Sequence, residues 1–336
     1  TGIFAENSEL TMSYTNIGEE NYSKASTSMG IGIKDSKLTV GEKVTINISG
    51  DKSQGIYGDG VVYQDTSAAD SLEINMSGLG NTGIYLKNQN TDLNLKDKSI
   101  TLGNSFDTVN YSVGAYINGT GKISLETGNI TIGTSQTDGN AFGVYVKSGT
   151  GTNNGNLTLG NIQISENSSI GVYGENVKDI STGNIKTGKI GVYQINSGTA
   201  GSLNTGVINV NGNVDGAVGL YTSDNGIIDV SISGLEVSGK NQTTGVYVKK
   251  GGFTTTGNMN ITGMNQSYGI FVQGTTGHNT VNFNNKDISV NLQNDSIGVY
   301  LSDASVTNGM VKNITVGNST NSSVMQSVGL HAENVS

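Results

Sequence analysis

The chain contains no Cys, no Pro, no Trp and no Arg, and all 18 of its basic residues apart from His are Lys. The absence of Cys excludes disulfides, zinc–thiolate sites and thiol nucleophiles. The absence of Arg argues against the uronic-acid lyases, which usually use Arg to hold a carboxylate and to act as base. No run of 18 apolar residues is present, so no membrane-spanning helix is predicted. No positively charged segment followed by an apolar one opens the chain, so no signal peptide is predicted.

The net charge and the amino-acid composition indicate which partners and which secondary structure to expect. The formal net charge is −9, which argues against a nucleic-acid partner because phosphate binding depends on clustered Lys and Arg. Gly contributes 50 of 336 residues, and Asn, Ser and Thr supply most of the polar side chains. Gly and Asn tolerate the positive φ angles of turns. Together with many β-branched residues they disfavour helix. The composition therefore predicts short strands joined by many turns.

A Gly–aliphatic–aromatic tripeptide recurs along the whole chain, as in Gly83-Ile84-Tyr85 and Gly143-Val144-Tyr145. Thirteen copies, two of them degenerate (Gly30-Ile31-Gly32 and Gly329-Leu330-His331), are separated by about 27 residues on average. Each interval also carries two short alternating runs, for example Leu157-Thr158-Leu159 followed by Ile162-Gln163-Ile164. Alternation with a period of two indicates a strand with one buried face. Each interval is therefore predicted to hold three strands.

A unit of about 27 residues cannot bury its own apolar side chains, so it must stack on its neighbours. The sequence predicts an all-β parallel β-helix, a β-solenoid of about 12–13 coils. A β-propeller is excluded because its blades need about 40–50 residues. Leucine-rich repeats are excluded because neither a helix nor a fixed Leu–Asn pattern appears. A right-handed coil is expected, since parallel crossovers favour that hand.

Domain organisation follows from the same repeat. Residues 1–336 are predicted to form one solenoid segment, excised from a longer array, because both ends fall at the same phase of the repeat and neither carries a polar cap. Variation in interval length is concentrated in turns. The four longest insertions span residues 103–113, 133–142, 147–156 and 317–328. A solenoid tolerates such insertions at little energetic cost, although loops on one edge can also form a working face.

Catalytic chemistry is not predicted. Sugar hydrolysis needs two carboxylates that flank one bond, but acidic residues such as Glu166, Glu175 and Asp179 are sparse and scattered. The two histidines, His278 and His331, are far apart, and His331 occupies the aromatic place of a tripeptide, where ring stacking is expected. The chain lacks the phosphate-binding loop and the Ca²⁺-binding nonapeptide pattern. No cofactor and no metal are expected, and the chain is predicted not to be an enzyme.

The aromatic residues at the third position of the tripeptide form the candidate binding site. Alternation puts Ile84 and Leu86 on one face of a strand and Tyr85 on the other. If the aliphatic side chains face inward, the aromatic ones form an external column whose rings could stack on sugars or on a protein partner. Alternatively the rings only pack on one another and seal the sheet, or the column faces inward. The candidate residues are Tyr57, Tyr85, Tyr116, Tyr145, Tyr173, Tyr193, Tyr221, Tyr247, Phe271 and Tyr300.

The repeated Gly-Ile/Val-Tyr tripeptide, the Leu-x-Leu and Ile-x-Ile runs and the lack of Arg, Cys and Pro together resemble the passenger domains of large type V autotransporters. The similarity is greatest to the fusobacterial outer-membrane adhesins of the RadD type. It covers the full chain, but the shared motif is structural. The resemblance implies a monomer on the outer face of the bacterial outer membrane that adheres to a protein or glycan receptor on host cells or other bacteria. It also implies a signal peptide and a C-terminal translocator barrel, both missing here. A secreted β-helix lyase or glycosidase and an inert spacer stalk are the alternatives.

Overall fold

The computed structural model describes residues 2–18, 27–40, 43–60, 62–65, 72–87, 91–95, 98–105, 111–119, 123–133, 139–149, 155–196, 200–222, 226–308, 311–317 and 327–336. These residues form strands and turns, and none of them lies in a helix that could cross a membrane. They fall into two compact units, an N-terminal unit (Thr1–Val177) and a C-terminal unit (Lys178–Ser336). The middle parts of the four predicted insertions, residues 106–110, 134–138, 150–154 and 318–326, lie outside the described residues.

The N-terminal unit contains strands β1 (Ile3–Glu6), β2 (Glu9–Met12), β3 (Thr15–Ile17), β4 (Met29–Lys34), β5 (Lys37–Val40), β6 (Val44–Ile48), β7 (Gln54–Asp59), β8 (Val62–Asp65), β9 (Leu72–Met76), β10 (Thr82–Lys87), β11 (Thr91–Leu95), β12 (Ile100–Leu102), β13 (Ser112–Gly119), β14 (Ile123–Thr127), β15 (Ile130–Ile132), β16 (Ala141–Ser148), β17 (Asn156–Leu159), β18 (Ile162–Ile164) and β19 (Ile170–Glu175).

The C-terminal unit contains strands β20 (Asp179–Thr182), β21 (Ile185–Thr187), β22 (Ile190–Ile195), β23 (Gly201–Val210), β24 (Val218–Thr222), β25 (Ile228–Ser238), β26 (Thr244–Val248), β27 (Phe253–Thr255), β28 (Met259–Gly263), β29 (Tyr268–Gln273), β30 (Thr280–Asn282), β31 (Ile288–Leu292), β32 (Ile297–Ser302), β33 (Ser305–Thr307), β34 (Asn313–Val316) and β35 (Val328–Glu333).

Three parallel ladders run through the N-terminal unit, one for each strand position of a coil. The first ladder is β1-β4-β7-β10-β13-β16-β19. The second ladder comprises β2-β5-β8 and β11-β14-β17. The third ladder is β3-β6-β9-β12-β15-β18. Ladder partners are one coil apart, as Ile56 and Ile84 are, so the predicted parallel β-solenoid with three strands per coil is confirmed.

The C-terminal unit has the same three ladders. Its first ladder is β22-β24-β26-β29-β32-β35. Its second is β20-β23-β25-β27-β30-β33, and its third is β21-β23-β25-β28-β31-β34. Strands β23 and β25 appear in both lists because each runs unbroken through the corner that separates the second and third ladders elsewhere. The described first-ladder strands number seven in the N-terminal unit and six in the C-terminal unit.

The core of each unit consists of the aliphatic residues that the alternation assigns to the inner face. Ile84, Val144, Leu157 and Ile162 are all at most 1% exposed. Burying such a side chain contributes about 1.5–3 kcal/mol to folding. Since every coil supplies several of them, stacking between coils gives each short strand the apolar burial that it lacks alone.

Glycine opens the tripeptide because the backbones of successive coils approach closely there. A Cβ atom at Gly83 would lie 2.6 Å from the carbonyl oxygen of Gly114 and 2.6 Å from Cγ2 of Ile100. Real Cβ atoms essentially never come within 3.0 Å of a heavy atom outside their own residue and its two chain neighbours. The glycine therefore lets a third-ladder side chain pack directly against the start of the first ladder.

A corner of the coil follows the first ladder, and its backbone conformation helps to explain the abundance of Asn. The residue five positions after the tripeptide glycine has a positive φ in several coils, for example 52° at Asn7, 57° at Asn176 and 49° at Asp303. Asn and Asp adopt this left-handed conformation more readily than other side chains. The composition thus reflects a turn that recurs in the coils.

Candidate functional site

The predicted aromatic residues form a stacked column on the outside of the first ladder in the N-terminal unit. Each ring is half-buried, whereas the neighbouring Ile84 and Leu86 are buried. Tyr85 and Tyr116 have ring centroids 5.0 Å apart and planes 10° apart, and Tyr145 continues the stack 5.0 Å beyond Tyr116. The stack also contains Tyr57 and Tyr173. The column therefore faces outward, and the inward alternative does not apply.

The C-terminal unit carries the same column. Its rings stack at centroid distances of 4.4–4.9 Å with planes at most 10° apart, and the members are Tyr193, Tyr221, Tyr247, Phe271, Tyr300 and His331. His331 lies 4.9 Å from the ring of Tyr300 at an angle of 5°, so the expected stacking of this histidine is confirmed.

The stacking determines which part of each ring is accessible. The inner rings of each stack, such as Tyr116 and Tyr247, have a neighbouring ring on both faces. The hypothesis that these faces receive a sugar therefore fails for the inner rings. What they present to solvent is the ring edge and the phenol hydroxyl. Burial raises the pKa of Tyr85 and of Tyr145 above the ordinary value, so these hydroxyls stay protonated and can donate as well as accept hydrogen bonds.

Two further columns of side chains border the aromatic column, and neither was predicted from the sequence. The residue just before the tripeptide glycine also faces outward: Phe142 meets the ring of Tyr145 edge-on at 5.7 Å, and Tyr268 meets Phe271 at 6.5 Å. On the other side, charged residues pair between coils of the N-terminal unit. Lys147 Nζ, for example, lies 3.0 Å from Glu175 Oε1. Such exposed ion pairs contribute little stability, so they serve mainly to make this border polar.

A buried polar column lies at the corner before the first ladder. In the C-terminal unit, the backbone N–H of Thr243 donates to Ser267 Oγ and that of Ser267 to Ser296 Oγ, both at 3.0 Å. In the N-terminal unit the N–H of Ser53 donates to Asn81 Oδ1 at 2.8 Å. All of these side chains are at most 1% exposed. The signal in the sequence is a Ser, Thr or Asn two positions before many of the tripeptide glycines.

Glu166 is the most unusual acidic residue among those described. It is 0% exposed, although no pattern in the sequence predicts its burial. Its Oε1 accepts a hydrogen bond from the backbone N–H of Ser105, and its Oε2 lies 2.7 Å from the Ser105 hydroxyl. Burial raises the pKa of Glu166 above its ordinary value near 4.5, and the hydrogen bonds from Ser105 offset this in part.

The raised pKa predicts a pH dependence of stability. The folded state binds the Glu166 proton more tightly than the unfolded state does, so stability falls as pH rises from the ordinary value through the folded pKa. We expect Glu166→Gln to remove this loss, so that the thermal unfolding midpoint of the variant gains on that of the wild type as the pH rises above the ordinary carboxyl pKa near 4.5. Glu126→Gln, on the outer side of β14, is the matched control. An equal gain in both variants would contradict a special role for the buried carboxyl.

His278 lies in the turn between β29 and β30 of the C-terminal unit and contacts Asp229, a residue 49 positions away, with 2.6 Å between Nδ1 and Oδ2. No local sequence pattern predicts this pair. Among the residues that the structure describes, no group of three or more His, Asp or Glu side chains comes close enough together to hold a metal ion.

Comparison with known proteins finds no matching family model, no matching characterised protein and no matching solved structure for this chain.

Proposed function

We propose that this chain is a segment of a bacterial cell-surface adhesin, a repetitive scaffold that attaches the cell to a protein or glycan receptor on host cells or other bacteria. The observation that carries the proposal is the outward aromatic column. It offers ring edges in successive coils of each unit, with spacings near 5 Å, and every ring except Phe271 and His331 also carries a phenol hydroxyl. A surface of this kind suits many weak contacts acting together, because multivalent attachment gains strength without a single deep site.

The proposal includes a place and a mode of attachment. The chain acts outside the cell, on the outer-membrane surface, and is held there by a translocator domain of the autotransporter type. The absence of Cys and the net charge of −9 are consistent with such an exposed position. A polysaccharide-degrading β-helix enzyme is the alternative, and it would need two carboxylates that flank one glycosidic bond.

Adhesion of coated beads tests the proposal. Beads that carry the chain are expected to bind epithelial cells or partner bacteria more than uncoated beads do. The triple variant Tyr116→Phe, Tyr145→Phe, Tyr247→Phe keeps the ring stack but removes three hydroxyls, each able to form a hydrogen bond worth about 0.5–1.5 kcal/mol. We expect it to lower adhesion by at least about tenfold.

The matched control replaces three outward residues of the third ladder with Ala, namely Thr101, Thr131 and Asn260. It should bind as the unmodified chain does. Equal adhesion by the Tyr→Phe variant would exclude the aromatic column as the contact surface. A complete lack of adhesion by the unmodified chain would reduce the segment to a spacer.

A further inference from the structure

One corner of the C-terminal unit, between β29 and β30, is longer than the corners of the two neighbouring coils. Six residues, 274–279, separate the first-ladder strand from the second-ladder strand there, whereas four residues, 249–252, do so in the preceding coil and two, 303–304, in the next. The extra residues form a tight turn. Thr275 and His278 exchange backbone hydrogen bonds of 3.1 Å and 2.8 Å, and Gly277 between them has a φ of 78°. The turn fixes the direction in which His278 leaves the backbone.

Asp229 belongs to a coil two turns earlier than His278, and Gly252 lies in the coil between them. The Gly252 N–H donates to Asp229 Oδ1 at 2.8 Å, while His278 Nδ1 lies 2.6 Å from Oδ2. A Cβ atom at Gly252 would come within 2.9 Å of the Thr280 carbonyl oxygen and 3.3 Å of Asp229 Oδ1. Both oxygens of the carboxylate are thus held in place, and they hold the imidazole in turn.

This arrangement decides the hydrogen-bonding role of each ring nitrogen. An ionised carboxylate can only accept hydrogen bonds, so His278 Nδ1 donates to Asp229 and Nε2 of the neutral ring carries the lone pair. The His278 side chain is 36% exposed, and Asp229 is the only residue of the described part of the chain to which it is hydrogen-bonded. Nε2 is therefore an oriented acceptor that faces away from its carboxylate.

The pair lies in a groove of about 290 Å³ whose other side chains are almost all hydroxyls and amides, from Ser202, Asn204, Ser231, Thr254, Asn279 and Thr280. The volume is just below the range for small-molecule sites, about 300–1,000 Å³, so the groove can hold a small ligand or one end of a larger one. The groove combines an oriented acceptor with hydroxyls that both donate and accept and with amides that do the same.

We propose that this groove binds a saccharide, with His278 Nε2 accepting a hydrogen bond from a sugar hydroxyl. A saccharide is the ligand class in which every substituent can donate to an acceptor such as Nε2 and also accept from Ser, Thr or Asn. The proposal deepens the adhesive function and depends on it for its biological role. The saccharide proposal is tested on the isolated chain without cells. A negative result there would therefore not contradict adhesion measured with coated beads.

The test is an NMR titration that observes His278 directly. The chain has two histidines, so His331→Phe, which keeps a ring in the aromatic column, leaves a single imidazole signal. Neutral and acidic mono- and disaccharides are added to this parent at millimolar concentrations. We expect at least one of them to shift the His278 imidazole resonances in a saturable way.

Two variants separate recognition from a purely structural role. In Asp229→Asn, the amide can donate to Nδ1 and so place the ring proton on Nε2, which converts the acceptor into a donor. We expect this variant to weaken saccharide binding by at least about tenfold while its backbone spectrum stays folded. Asn291→Ala, on the third ladder, should bind as the parent does.

Three results would overturn the proposal: no saturable shift with any saccharide, equal binding by Asp229→Asn, or a shift of His278 produced by Zn²⁺ alone. The last result would assign the imidazole to a metal ion, since a carboxylate-bound His commonly offers its other nitrogen to a metal.

Discussion

Replacement of Phe253 by Ala is expected to lower the free energy of unfolding of the C-terminal unit by about 3–5 kcal/mol. Phe253 is 0% exposed and meets the ring of Phe283 edge-on, with 6.3 Å between centroids. The substitution leaves a cavity between the second and third ladders that rigid neighbouring coils cannot fill. Denaturant unfolding followed by circular dichroism measures the loss.

Phe271→Ala is the matched control, because Phe271 is a half-buried member of the external column in the same unit. It loses two stacking contacts, with Tyr247 and Tyr300, each worth about 0.5–1.5 kcal/mol beyond its buried area. A smaller destabilisation than that of Phe253→Ala is therefore expected. Equal losses would show that the outer column contributes to stability as much as the core does.

Gly298→Ala should destabilise the same unit by about 1–3 kcal/mol through overpacking. A Cβ atom there would lie 2.4 Å from Cγ2 of Ile314 and 2.5 Å from the carbonyl oxygen of Gly329. Neither neighbour can yield easily, because one is backbone and the other is a β-branched side chain with a stiff χ1 angle.

Gly329→Ala provides the control at the same place of the tripeptide. A Cβ atom at Gly329 would meet nothing within 4 Å, and the backbone there is not left-handed. Ala at such a position reduces the freedom of the unfolded chain, so a neutral effect or a slight stabilisation is expected. The two variants should thus differ in unfolding midpoint in one denaturation experiment. Similar behaviour would mean that contact between coils is not why the tripeptide begins with glycine.

The fold was predictable because its signals are local. Alternation in Leu157-Thr158-Leu159 depends on neighbouring residues only, and the spacing of the tripeptides gives the coil length directly. Both Leu side chains are buried as expected. In β23 and in β25, the second-ladder strand and the third-ladder strand of a coil form one continuous strand. This was not predicted, because it depends on whether the corner between them bends enough to interrupt the backbone pairing with the next coil.

The candidate site was predictable in part. The tripeptide indicated which residues share a column, but not that Tyr116 would have both faces covered, since ring stacking depends on side-chain angles across coils. The contact between His278 and Asp229 depends on the turn from Thr275 to His278, on Gly252 in the coil between them, and on the alignment of residues that are two coils apart. Glu166 resembles any other acidic residue in sequence, and its burial follows from how separate coils meet. Features of this kind arise only in the assembled structure.

The register of the ladders has a consequence for folding kinetics. Each strand pairs with one about a coil away in sequence, as Val246 does with Ile270, 24 residues on. The chain entropy lost in closing such a loop is therefore similar for every coil, because it varies only slowly with loop length, and it does not grow with the number of coils. Once one coil has formed, the next can add to its edge, so folding should proceed by successive growth from a nucleus, and the rate of each addition should depend on the coil and not on the length of the chain.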